Sequence, residues 1–261
     1  MKRVLTALAV IVSCSSCEKV IDIDYNEAAT KYVIEGEVSN DPAAANTVKI
    51  SQTKKFEDDN TFVGISGATV TIQVDNGIIY SLPETLTGIY KTTAFTGTPG
   101  SVYKLTVKLN ETVFTATSQM PSQIVLMDTL TVEDLSIRGS NPKTIQPDYQ
   151  DPPGLGNSYR FIEYANGIQV KHVFVQNDDI SDGQHITRAL INEDGDLDTG
   201  DTVKVEMLCI DANVYKYWYS LDQASTGNSM VTPANPVSNI SGGALGYFSA
   251  HSISSKTIVI Q

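Results

Sequence analysis

The sequence predicts a mainly β protein: an N-terminal β-sandwich of immunoglobulin-like or fibronectin-like character, followed by a second β-rich domain with one short helix. Three observations lead there. Apolar and polar residues alternate with period two in many short segments, those segments are separated by Gly, Pro, Asn and Asp, and a single stretch carries a helical period.

The first domain is expected over residues 31–121. Tyr32, Ile34 and Val38 alternate with Val33, Glu35 and Glu37, and Val48 and Ile50 alternate with Lys49 and Ser51. Ala68, Val70, Ile72 and Val74 alternate with Thr69, Thr71 and Gln73, and Asp75-Asn76-Gly77 follows as a strong hairpin signal. Tyr103, Leu105, Val107 and Leu109 alternate with Lys104, Thr106 and Lys108 before Asn110-Glu111 turns the chain into Val113–Thr117. About seven short strands in roughly ninety residues suit a small sandwich. The Cys-Trp-Cys core of antibody domains is missing from it, and Met120-Pro121 closes the unit.

The second domain is expected over residues 122–261. Residues 122–137 read as extended chain, and the Pro- and Gly-rich stretch 139–157 reads as a long surface loop. Strands are expected at Ser158–Tyr164, Val170–Val175, Ile186–Ile191, Val203–Ile210 and Lys256–Ile260. Between the last two, Asp211 can cap a helix in which Val214, Tyr217, Trp218 and Leu221 fall at i, i+3, i+4 and i+7. That face docks on a sheet. The same period accounts for Tyr217 and Trp218 as core residues, with a sugar-stacking platform at Tyr215–Tyr219 as the alternative.

Of 261 residues, 41% are hydrophobic and 18% charged, which excludes long disorder and a multi-span membrane protein. Eighteen Lys and Arg against 30 Asp and Glu leave a net charge of −12. Such a surface repels phosphate backbones, so nucleic acid is not an expected partner. Lys2 and Arg3 precede an apolar run, Val4–Val12, and small residues Ser13–Ser16, the order of a bacterial export signal too short to span a bilayer. Residues 1–16 are expected to be a lipoprotein signal peptide, Cys17 the acylated residue and 17–30 a polar tether. Cys14, preceded by Ile11-Val12-Ser13, competes for the lipid. Once Cys14 leaves with the signal and Cys17 is acylated, Cys209 stands without a disulfide partner. It lies in a strand-like segment with no His or cationic cluster beside it in sequence, and reads as a small buried apolar residue.

Catalytic motifs do not emerge. His172, His185 and His251 are far apart and none has ligand spacing. Ser66 follows Gly64, but Ala68 stands where a nucleophile elbow needs glycine. Neither catalytic residues, cofactor-binding residues nor metal ligands are assigned. The densest acidic segment is Asn192–Asp201, in which Asp194, Asp196 and Asp198 alternate as calcium ligands do. Gly200 comes one place late for such a loop, and its twelfth position lacks Glu. A solvated hairpin turn between 186–191 and 203–210 explains the same residues. Asn177–Gly183 reads as another acidic turn.

Five stretches coincide with a known pattern: Cys17-Glu-Lys-Val-Ile-Asp-Ile-Asp24, Val33-Ile-Glu-Gly36, Ser66-Gly-Ala-Thr-Val-Thr71, Asp151-Pro-Pro-Gly154 ahead of Tyr159-Arg160-Phe161, and Asn239-Ile-Ser-Gly-Gly-Ala-Leu-Gly-Tyr-Phe248. In that order they resemble the Bacteroidetes outer-membrane lipoprotein family of domain of unknown function 4249, over essentially the whole mature chain. The resemblance implies lipid anchoring at Cys17, an outer-membrane and surface-exposed location, and an accessory role beside a TonB-dependent, SusC-like receptor in nutrient capture or uptake. It brings no catalytic residues. The expected function is therefore a non-enzymatic binding or accessory module. The alternatives are an adhesin or structural surface protein and a surface glycan hydrolase, the last needing two carboxylates about 5 to 9 Å apart in a cleft.

Overall fold

Where alternation leaves one face wet, it becomes strand. The computed structural model describes residues 30–54, 61–134, 143–191, 197–225 and 234–261. The signal segment, most of the tether, Cys14, Cys17 and residues 192–196 lie outside the described residues.

The first sandwich packs two sheets. One contains β1 (Tyr32–Ser39), β2 (Asn46–Gln52), β5 (Glu84–Leu86) and β6 (Ile89–Thr92). The other contains β3 (Thr69–Val74), β4 (Ile79–Leu82), β7 (Val102–Leu109) and β8 (Thr112–Gln119). Ile34, Val38, Val48 and Ile50 from one inner face meet Val70, Ile72, Leu105, Val107 and Phe114 from the other. Asp75 and Asn76 take φ of 48° and 57°, so the hairpin β3–β4 turns as its sequence requires. Asn110, at φ 54°, does the same for β7–β8.

The second sandwich packs β11 (Ser158–Ala165) and β15 (Thr202–Cys209) against a three-stranded sheet of β9 (Met127–Asp134), β10 (Lys143–Gln150) and β14 (His185–Thr187). Short strands β12 (Ile168–Gln169) and β13 (Phe174–Asn177) pair with β11. Two sequence expectations are corrected here. The loop expected over 139–157 contains β10, the middle strand of its sheet, with Ile145 and Tyr149 fully buried. Pro147 fits within it because it neighbours a register shift at Asp148/Tyr149, where ladder bonding is already interrupted. The segments 186–191 and 203–210 are not a hairpin: β14 pairs with β10, whereas β15 pairs with β11 and the last strand.

That last strand, β17 (Leu245–Val259), joins the two halves. Leu245–His251 pairs parallel with β1, and Ser252–Val259 pairs antiparallel with β15. One sheet therefore runs β12-β11-β15-β17-β1-β2-β6-β5 across both sandwiches. The preceding β16 (Ile240–Ser241) adds to β8. Residues 240–251, expected in a second domain beginning at 122, thus complete the first sandwich, to whose core they contribute Ile240, Phe248 and Ala250. Their sequence hides this, because Gly246–Ser252 is buried on both faces and shows no alternation. Two glycines make the parallel seam passable: a Cβ on Gly246, at φ 99°, would lie 2.0 Å from the Ile34 carbonyl oxygen, and one on Gly36 would lie 2.8 Å from the Phe248 ring. Both belong to stretches that carry the family resemblance.

The helix α1 (Ala212–Ser225) lies on the outer face of the shared sheet. Asp211 accepts hydrogen bonds from the N–H groups of Asn213 (2.8 Å) and Val214 (3.0 Å), the expected cap. Val214, Tyr217 and Trp218 are buried against Leu208, Ile210 and Tyr247, while Tyr219 is exposed.

Candidate functional site

Beneath α1 the sheet carries a polar layer. Arg160 on β11 is buried, with its guanidinium carbon 3.4 Å from the centroid of the Trp218 ring. Further along the same sheet, beyond β15, Tyr247 on β17 donates its hydroxyl to Glu37 on β1 (2.7 Å), and His251 shares a 3.1 Å hydrogen bond with Ser249. Burial alone would raise Glu37, but His251, the Tyr247 hydroxyl, Arg160 and Lys49 outweigh it and hold the carboxyl below its ordinary value. Burial lowers His251, which favours the neutral ring. Because Arg160 meets Trp218 on the helix and the Tyr247–Glu37 hydrogen bond ties β17 to β1, this layer docks the helix and fastens the strands beneath it.

The loop 151–157 is held by carboxylates turned inward. Asp151, fully buried, accepts from the Tyr159 hydroxyl and from Gly183 N–H (2.9 Å). Asp178 accepts from Gly156 (3.0 Å) and Asn157 (2.9 Å), and Asp182 from Gly154 (2.6 Å). Gly154 and Gly156 sit at φ 120° and 117°, a backbone that only glycine adopts readily. Oxygens of the three carboxylates lie within 4.8 Å of one another. The N–H and O–H groups that donate to each of them offset that repulsion, so the group acts as a loop clamp. Burial, and then the Asp151 hydrogen bond, push the Tyr159 phenol well above its usual value. The acidic run at 177–183 is thus more than a solvated turn, which its sequence does not disclose.

The clamp shapes one wall of a cleft. Residues 150–153 and 123–126, together with Asp128, line a space of about 530 Å³. Ile124 and Leu126 are 45% and 62% exposed there, and Pro152, Pro153 and Gln150 complete the lining. Apolar walls with a few polar groups, in a volume of this size, are what a small ligand or a partner's side chains require.

The remaining sequence candidates disperse. Cys209 is buried, donates its thiol weakly to Val125 O (3.8 Å), and has its pKa raised by burial, as expected of a packing residue. Asp198 and Asp201 form a tight turn: Asp201 accepts from Asn166 (2.8 Å) and from Asp198 N–H (2.9 Å), which hold its carboxyl below the usual range. The His172 ring packs at a tilt against Phe174, centroids 4.6 Å apart, and His251 is buried. Among the described residues only His185 meets carboxylates on the surface, Asp148 at 2.6 Å and Asp128 at 3.8 Å. No spacing rule reveals that meeting, because the three residues come from three strands.

The fold and its cleft define a mainly β protein of two sandwiches built on one shared sheet. Over residues 18–257 the sequence matches the family described as Domain of unknown function (DUF4249), and the chain belongs to that family. No curated protein matches it.

Proposed function

We propose that the protein is an outer-membrane lipoprotein, anchored through Cys17 at the cell surface, that acts as an accessory binding module beside a TonB-dependent receptor in nutrient capture. The observation that carries the reading is the cleft: an apolar lip, Ile124 and Leu126, projects from a loop opposite a wall made rigid by the Asp151 clamp. Rigid loops on a sandwich can bind without a fixed catalytic set. The export-signal order at the N-terminus, ending at Cys17, supports the anchor.

The test is recovery of partners from solubilised outer membranes with the lipid intact. A TonB-dependent receptor is expected to co-purify. Leu126→Asp should reduce its recovery at least about fivefold, the effect of an interface side chain worth about 1 kcal/mol, at unchanged thermal midpoint. Cys17→Ala should move the protein to the soluble fraction. An unacylated, soluble wild-type protein, binding to a matrix polymer with no transporter, or turnover of a glycan would each overturn the reading.

A further inference from the structure

We propose that Asp128, Asp148 and His185 form a site for one borderline divalent transition-metal ion of the zinc class. In the three-stranded sheet, β14, β10 and β9 lie in that order, so the residues sit side by side across three strands. His185 is in register with Gln150 and reaches back diagonally to Asp148. Asp128 arrives by a β-bulge: Asp148 pairs with Thr129 and Tyr149 with Met127, which leaves Asp128 as the extra residue. Regular alternation would send Asp128 and Thr129 to opposite faces. With the bulge both are exposed between buried Met127 and Leu130, and Asp128 joins Asp148 on the outer face. One donor atom from each of the three residues falls within 4.8 Å of the others.

An ordinary ion pair accounts poorly for this arrangement. Two carboxylates facing each other on adjacent strands repel, and one imidazole supplies at most one positive charge between them. The contrast with the Asp151 clamp is chemical: there each carboxylate accepts at least one backbone N–H, whereas the Asp128 carboxylate accepts no hydrogen bond from any described residue. The Thr187 hydroxyl donates to Asp148 Oδ2 (3.2 Å), leaving Oδ1 turned to the shared point, which is how outer-shell partners orient a ligand. Imidazole with two carboxylates suits zinc or cobalt, whereas calcium and magnesium prefer oxygen alone. In a tetrahedral zinc centre donor atoms stand about 3.3 Å apart. His185 and Asp148 would open from 2.6 Å and Asp128 would close from 3.8 Å, rotations open to side chains at the surface. A fourth position remains for water or for a donor from whatever occupies the neighbouring cleft, which Asp128 also lines.

The site stands apart from the uptake role, and either can fail alone. Its test uses the full chain stripped with a chelator and titrated with Zn²⁺ by calorimetry and with Co²⁺ by visible absorption. One equivalent of Zn²⁺ is expected, together with cobalt d–d bands. His185→Ala and Asp128→Asn should each weaken Zn²⁺ at least tenfold and remove the bands, while His172→Ala leaves both unchanged. Thermal midpoints in chelator check that each variant is folded. If His185→Ala is unstable, Asp128→Asn decides alone, because that carboxylate makes no hydrogen bond in the described fold. Absence of stoichiometric uptake by the wild-type chain, or equal affinity in Asp128→Asn, overturns the proposal.

Discussion

Glu163 shows how a single side chain can set a pH dependence. It points from β11 into the second core, is 2% exposed, and its Oε2 has no partner among the described residues. Burial pushes its carboxyl up to about 7, against 4.5 for the free group. Between those values the folded state binds more protons than the unfolded one, so raising the pH lowers stability. The cost is absent below 4.5 and fully expressed above 7, where it reaches about 3 kcal/mol. Glu163→Gln should therefore be more stable than wild type by about 1–3 kcal/mol at pH 8, with the difference closing as the pH falls to 4.5. Urea unfolding across that range measures it, and parallel curves would count against the assignment. Residue roles that depend on local chain, such as the Asp211 cap and the packing of Cys209, are legible in the sequence. Those that depend on a partner strand, such as Asp128 and Asp178, are not.

At the scale of elements the seam between β1 and β17 is the demanding feature. Parallel pairing brings the two backbones together with no side chain to spare, and Gly246 meets the Ile34 carbonyl while holding a left-handed backbone. Gly246→Ala adds a backbone clash to that strain and should cost at least about 3 kcal/mol. Gly67, also at positive φ (87°) but with nothing within 4 Å of an added Cβ, is the matched control. Gly67→Ala should cost only the backbone strain, roughly 1 kcal/mol. Thermal or urea midpoints of the two variants separate the effects, and equal losses would refute the close-approach explanation. The stretch Leu245–Phe248 resembles the family pattern, yet its position beside Val33–Gly36 appears only when the strands are paired.

For the whole molecule, β17 makes the two sandwiches one mechanical object. Half of it completes the first core and half lies over the second, so neither core can lose it without exposing apolar residues of both. The chain's single Trp, Trp218, reports from the helix on the shared sheet. Its fluorescence and the far-UV circular dichroism should lose their folded signals at the same denaturant midpoint. Two separated transitions would indicate that the halves fold independently.

What the amino-acid sequence determined by itself was whatever alternation, turn residues and helical period can encode over a few neighbours. That includes the mainly β class, the hairpins at Asp75-Asn76 and Asn110, the strands with one wet face, and the capped helix with its buried Tyr217 and Trp218. Only the tertiary structure decided that β10 runs through a proline-bearing stretch, that the last strand serves both sandwiches, and that Asp128, Asp148 and His185 meet. The reason is physical: a strand buried on both faces loses its alternation, and register across strands is set by contacts between residues far apart in the chain.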